Sequence, residues 1–398
     1  MSVPTIDSSL TYRFITAARA RQSRYQLDWT LLMCTLILIA FGWVMVGSAS
    51  IAVAEKLTGN EFHFLRHQAI HVLVGLLLGW ICMRIPVSRW EKINPYLLLM
   101  SMGLLLLVLA VGQTVNGSTR WFSLGFVSVQ PSELMKLSMI MYLAGYIVRR
   151  EDQIKNSLKG FMYPIILMSV VAILLLLEPD FGAMAVISVL TFLMLYIGGV
   201  RLRQFAMLSL VMFIAFALVA LSEPYRIERL KSFWDPWADP LNSGYQLSQS
   251  LIAFGRGEWF GVGLGNGIQK LFYLPEAHTD FLLAVISEET GLFGIICVIG
   301  LFCAVVYRSA RIGYLSYISH HYYAAYLAFG MGMLIGVQAF TNIGVNMGVL
   351  PTKGLALPLM SYGGSNMVAS CVAIGILLRI YHEARPNQAE LSKQRRSR

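Results

Sequence analysis

Ten predominantly apolar stretches of about 17–25 residues, the first from about Trp29 to Ala49, constrain this chain more than any other feature. Inside a bilayer no water is available to the backbone, so a stretch of that length must close its own hydrogen bonds as a helix. The others fall at about 67–83, 95–112, 132–148, 161–177, 181–199, 204–222, 282–306, 322–345 and 365–381. The expectation is an all-α integral membrane protein with about ten transmembrane helices. Of 398 residues, 57% are hydrophobic and only 13% charged, so little chain remains for a soluble domain.

The net charge of +10 does not point to nucleic acid, because the basic residues lie in short clusters between apolar runs, where topology signals belong. With the N-terminus inside, the inward segments hold 21 of the 31 Lys and Arg and the outward segments nine, five of these in one long loop. Lys136 falls within the fourth span. The division that follows is a cytoplasmic tail at 1–28, a membrane domain at 29–381 and a basic cytoplasmic tail at 382–398. A long extracytoplasmic loop at 223–280 separates spans 7 and 8, and its Trp234 and Trp237 suit an interfacial helix. The first apolar run starts late and is long enough to span, so it reads as an uncleaved insertion signal. Cys34, Cys82, Cys297, Cys303 and Cys371 all lie in apolar runs without ligand spacing and read as small core hydrophobes.

Polar groups at membrane depth mark candidate chemistry. The stretch Tyr273–Phe281, YLPEAHTDF, places Glu276, His278 and Asp280 at the mouth of the eighth span. Asp280 occupies a partly desolvated position of the kind that tunes a carboxylate for general-base work. An ordinary helix N-cap at Thr279 or Asp280 is the competing reading. Glu133 and Lys136, three apart in the fourth span, share a helix face and can pair, either as a structural ion pair or as a polar cavity wall. Arg120 in GSTRWFSLG and Lys353 in PTKGL are single cations on charge-poor outer loops, and together they suit a phosphate-bearing substrate. Ser361 opens the small-residue run SYGGS, where backbone could approach a ligand.

Three weaker patterns remain. His63, His67 and His71 share one helical face at a spacing that could bind a metal, or simply form a hydrogen-bonded interfacial face. The run GVGLGNG, 261–267, could make an anion-holding nest that contacts a pyrophosphate, or a close-packed loop. Glu178 and Asp180 flank Pro179 and read as a solvated turn.

QPSELMK at 130–136, GYQLSQSLIAFGRGEWFGVGLGNG at 244–267, YLPEAHTDF at 273–281 and PLMSYGGS at 358–365 together resemble the SEDS family of shape, elongation, division and sporulation proteins. The resemblance runs from about Trp29 to Arg379, and EAHTDF with PTKGL is more similar to the division branch than to the elongation branch. It implies a peptidoglycan glycosyltransferase that polymerises lipid II at the septum of the bacterial inner membrane, N-in and C-in. It implies as partners a class B penicillin-binding protein, an FtsI-like transpeptidase, and other divisome proteins. By position it implies that Asp280 is the catalytic aspartate, that Glu133 and Lys136 are the fourth-span acid and lysine, and that Arg120 and Lys353 face the outer cavity; Glu276 and His278 become supporting groups that orient the aspartate or contact substrate, and Ser361 joins them as a candidate substrate contact. It names no definite cofactor and leaves room for a divalent cation, Mg2+ or Mn2+. Asn366 and Glu178 depart from the family pattern, which often has Ser and Gln there. A lipid II flippase and a non-catalytic divisome scaffold are the rival readings.

Overall fold

The computed structural model describes residues 26–115, 118–123, 128–201, 203–207, 209–211, 214, 232–351 and 354–384. Eleven α-helices lie among them, with a short π-helical turn at Gln269–Tyr273: α1 (Trp29–Thr58), α2 (His63–Arg84), α3 (Val87–Val111), α4 (Pro131–Arg149), α5 (Glu151–Asn156), α6 (Leu158–Leu177), α7 (Phe181–Ile197), α8 (Tyr245–Gly257), α9 (Leu282–Ile318), α10 (Tyr322–Asn346) and α11 (Gly364–Ala384).

Seven of these, α1, α2, α3, α6, α9, α10 and α11, are long and apolar enough to cross a membrane. Helix α7 is apolar but only 17 residues long, and α4 carries Glu133 and Lys136 among its 19 residues. Nine of the ten expected spans are therefore helices, and this is a multi-pass membrane protein. The tenth, 204–222, lies mostly outside the described residues, as do both tails. Helix α9 runs twelve residues beyond its expected end at 306, to Ile318, a total of 37 residues interrupted at Gly291. That extra length is anchored where Arg308 Nε donates to Asp28 Oδ2 at 3.0 Å, the same Asp28 whose carboxylate caps α1 through Leu31 N.

Between α3 and α4 the chain forms a small antiparallel sheet of β1 (Gln113–Val115), β2 (Ser118–Ser123) and β3 (Ser128–Val129), ordered β1-β2-β3 with Thr114 opposite Thr119 and Phe122 opposite Val129. Gly75 and Gly79 on α2 face Cys371 on α11, so the two helices pack through small residues. Cys82 and Cys371 are buried, as core hydrophobes should be, whereas Cys297 and Cys303 are exposed on α9.

The 223–280 connection is not a surface loop throughout. Helix α8 packs against α9 and α10, and Ser250 Oγ donates to Asn346 O at 2.8 Å. Further along, the chain at 257–263 runs beside 287–293, with Val262 N donating to Glu288 O and Gly263 N to Glu289 O. Contact this close needs a break in α9, which Gly291 supplies at φ +67, a conformation costly for any other residue. Trp234 and Trp237 are exposed, but Trp237 lies in a turn and not on the helix expected to carry both.

Candidate active site

The residues before α9 form a turn rather than a helix. Thr279 N and Phe281 N both donate to Glu276 O at 3.2 Å, and Thr279 Oγ1 donates to Glu276 Oε2 at 2.7 Å. Phe281 occupies the cap position of α9 and no side chain caps it. The N-cap reading of Thr279 and Asp280 is thereby corrected: the turn presents Asp280 instead of using it to start the helix. Glu276, at φ +55, organises this turn.

Two asparagines one turn apart on α10 hold Asp280. Its carbonyl accepts from Asn342 Nδ2 at 2.8 Å and from Asn346 Nδ2 at 2.9 Å. Asn342 Nδ2 also donates to Leu355 O at 2.6 Å, and Asn346 Oδ1 accepts from Ala284 N at 3.2 Å. The same amides therefore fix the Asp280 turn, the first turn of α9 and the loop at 354–363. The Asp280 carboxylate lies over that loop, where a Cβ on Gly354 would fall 3.0 Å from Oδ2. Lys353 itself lies outside the described residues.

His278 packs between rings. Its imidazole centroid is 4.7 Å from Phe64 and 5.5 Å from Tyr362, and its carbonyl accepts from Tyr362 N at 3.0 Å. Burial holds the imidazole below its ordinary range, with Glu276 pulling weakly the other way. Its Nδ1 has no hydrogen-bond partner among the described residues. Ser361 is buried and faces its own turn: its Oγ accepts from Leu357 N at 3.0 Å and its carbonyl from Gln68 Nε2 at 3.1 Å.

A second acidic centre lies across the same loop. Leu355 reaches Gly182, whose Cβ would meet Leu355 Cδ2 at 3.1 Å. Close by, Asp180 caps α7 through Ala183 N at 3.1 Å and accepts from Gln130 Nε2 and Ser132 Oγ, also at 3.1 Å. Arg120, on β2, donates to the carbonyls of Glu178 and Pro179 and stands 3.9 Å from the Asp180 carboxylate, with about a quarter of its side chain exposed. The solvated-turn reading of Glu178 and Asp180 is therefore corrected, since both are buried. Glu178 has no hydrogen-bond partner for either carboxylate oxygen among the described residues, and burial with Asp180 nearby pushes it up to about 8 against the opposing pull of Arg120. Asn366, the other departure from the family pattern, donates to Ala356 O at 3.0 Å and steadies the same loop.

Glu133 and Lys136 form the expected pair, Nζ to Oε1 at 2.7 Å, both residues buried at the start of α4. The N-terminus of α4 is joined to that of α11, where Ser365 Oγ accepts from Gln130 N at 2.8 Å and donates to Ser128 O at 3.2 Å. Asp280, Glu276, His278, Ser361, Arg120, Glu133 and Lys136 thus all lie at one end of the bundle.

The run 261–267 is a close-packed loop against the break in α9 that gives one amide to a carboxylate, and the two residues after it give theirs to another, so the anions held here are the protein's own. Gly265 N donates to Glu289 at 3.1 Å, while Ile268 N and Gln269 N donate to Glu288 at 2.9 and 3.1 Å. Arg256 pairs with Glu288 at 2.9 Å, and Lys270 pairs with Glu289 at 2.6 Å while donating to Ser48 Oγ at 2.8 Å. These amides are engaged by carboxylates, not held for a pyrophosphate. The two glutamates, like Asn342 and Asn346, went unnoticed in the sequence. Their signal was polarity within an otherwise apolar run.

His67 Nδ1 lies 2.9 Å from His63 O, and His71 turns away toward Tyr362 and Gly364. Among the described residues no group of three or more His, Cys, Asp or Glu is placed to hold a metal ion.

The chemistry available at this end of the bundle is a carboxylate, Asp280, fixed through its backbone, and a partly exposed guanidinium, Arg120, held on the 178–180 turn. The family model for FtsW, RodA and SpoVE, described as cell cycle protein, matches residues 28–386. The chain is 51% identical over 374 residues to a probable peptidoglycan glycosyltransferase FtsW of Nitrosococcus halophilus, covering 94% of this chain and 96% of that one. It is 53% identical over 350 residues to the protein of the same description in Legionella pneumophila, covering 87% and 89%. Among solved structures it superposes on a chain of a peptidoglycan synthase complex that coordinates polymerization and crosslinking, with a TM-score of 0.75, 27% identity and coverage of 92% and 100%. The rod shape determining protein RodA of Thermus thermophilus gives a TM-score of 0.67 at 26% identity, covering 91% and 98%.

Proposed function

The chain belongs to the family of cell cycle proteins that comprises FtsW, RodA and SpoVE, and we propose how it works as the peptidoglycan glycosyltransferase that its relatives' descriptions make it. The substrate is lipid II, bound at the end of the bundle that holds Asp280, which faces outward with both termini in the cytoplasm. The observation that carries the proposal is the placing of Asp280: its carbonyl is clamped by Asn342 and Asn346, and its carboxylate lies against Gly354.

Asp280 removes the proton from the C4 hydroxyl of the acceptor sugar. The freed oxygen attacks C1 of the growing strand, the C1–O bond to phosphate breaks, and polyprenyl diphosphate leaves. Arg120 and Lys353 offset the charge that builds on the diphosphate. The turn built by Glu276, His278 and Ser361 fixes where the base stands, and the Glu133–Lys136 pair lines the cavity for the lipid-linked chain. A divalent cation, Mg2+ or Mn2+, would enter with the diphosphate of the substrate; polymerisation in EDTA, restored or not by Mg2+ or Mn2+, tests that point.

The partner is a class B penicillin-binding protein, an FtsI-like transpeptidase within the divisome at the septum, in keeping with the synthase complex that the fold matches. The deciding experiment is lipid II polymerisation by the purified protein with that partner. Asp280→Ala is expected to abolish strand formation while leaving the complex intact, and long glycan strands from the variant would overturn the assignment.

A further inference from the structure

At the end of the bundle opposite Asp280, α3, α4, α5 and α6 line an open cavity of about 740 Å³. Its volume lies within the range of about 300–1,000 Å³ typical of small-molecule sites. We propose that this cavity binds one anionic phospholipid from the adjoining leaflet, with the phosphodiester between Arg150 and Lys159 and an acyl chain along Ile166 and Val170.

The lining is graded from charged to apolar. Arg150 and Gln153 come from the α4–α5 corner, Lys159 and Tyr163 from the first turns of α6, and Met102, Ile166 and Val170 continue along the span. No acidic residue lines it, and neither Arg150 nor Lys159 has a salt-bridge partner among the described residues. Of the nearest acids on α5, Glu151 is paired with Lys155, and Asp152 does not line the cavity. Basic pockets between transmembrane helices recognise lipid phosphates in this way.

Tyr146 Oη is engaged on Gly160 O at 2.8 Å and its ring stacks on Tyr142, so that wall is fixed. Tyr163, Ile166 and Val170 are between 41% and 60% exposed, which leaves the apolar side open toward the bilayer for a chain to enter. The protein's own tails are poor occupants: the N-terminal one carries Arg13, Arg19, Arg21 and Arg24 and the C-terminal one Lys393, Arg395, Arg396 and Arg398, which Arg150 and Lys159 would repel.

The test is native mass spectrometry of the full-length protein in detergent, titrated with phosphatidylglycerol, phosphatidylethanolamine or inorganic phosphate. Wild type is expected to retain phosphatidylglycerol over phosphatidylethanolamine, and Arg150→Gln with Lys159→Gln to weaken that retention about 25-fold, about fivefold per cation. Arg89→Gln with Lys92→Gln, which removes equal charge from the first turns of α3 at the same end, should leave retention unchanged. A photoreactive residue at position 170 should crosslink to the acyl chain. Equal retention of both lipids, equal loss in both double variants, or competition by inorganic phosphate alone would each overturn the proposal.

Discussion

Lys270 Nζ lies 2.6 Å from Glu289 Oε1, joining the segment that leads into the catalytic turn to the interior of α9. Ser48 on α1 bonds both partners, so three elements meet at one buried charge pair. Removing the lysine alone strands Glu289 without its cation. Lys270→Met should therefore destabilise by about 3–5 kcal/mol, and Lys270→Met with Glu289→Met by clearly less. Thermal unfolding in detergent measures both, and a single variant as stable as wild type would show that the pair does not hold the loop.

Gly354 leaves only enough room for the Asp280 carboxylate. A methyl group 3.0 Å from Oδ2 must push it aside by a few tenths of an ångström. Gly354→Ala is expected to fold normally and to lower the polymerisation rate about tenfold, because catalytic groups are sensitive to displacements of this size. Unchanged turnover would separate the position of this carboxylate from the rate.

His278 is held neutral by burial, so the site should fail on the acid side. A depressed imidazole contributes stability above its unfolded value near 6.5, and that contribution is lost as pH falls through the lower folded value. His278→Phe keeps the ring between Phe64 and Tyr362 and should retain most activity while removing this acid limb. His278→Ala leaves a gap and should cost about 2 kcal/mol. A pH–rate profile of His278→Phe identical to wild type would exclude His278 as the source of the limb.

Glu178, pushed up to about 8, implies the opposite pH dependence. Its folded value lies above its unfolded one near 4.5, so its stabilisation is complete below 4.5 and is lost as pH rises through 8. Glu178→Gln should raise stability at pH 8 by about 2 kcal/mol and flatten the melting temperature between pH 5 and 8. A variant less stable than wild type at pH 8 would mean that the ionised carboxylate has a favourable partner.

The family, the helical class and nine of the ten helices were legible because hydrocarbon forces one answer on a long apolar run. The Glu133–Lys136 pair could be read because both residues lie on one helix at a fixed spacing. Glu178 and Asp180 were misread as solvated, since burial is conferred by Arg120, Gln130 and Ser132, which arrive from distant segments. The glycine-rich run was legible as a close-packed loop, but the carboxylates beside it were not: Glu288 and Glu289 follow about twenty residues later and meet it where α9 breaks at Gly291.

The sequence by itself determined that the chain crosses a membrane repeatedly and that YLPEAHTDF stands at the mouth of a span, because hydropathy and length act locally. Only the tertiary structure decided what holds Asp280 in place. Its carbonyl needs donors that no neighbour within its own turn supplies, and two asparagines more than sixty positions away on α10 supply them while binding Leu355 and Ala284 as well. In an apolar interior such polar groups must find partners wherever the packing of helices brings them, and that packing is not written in any one segment.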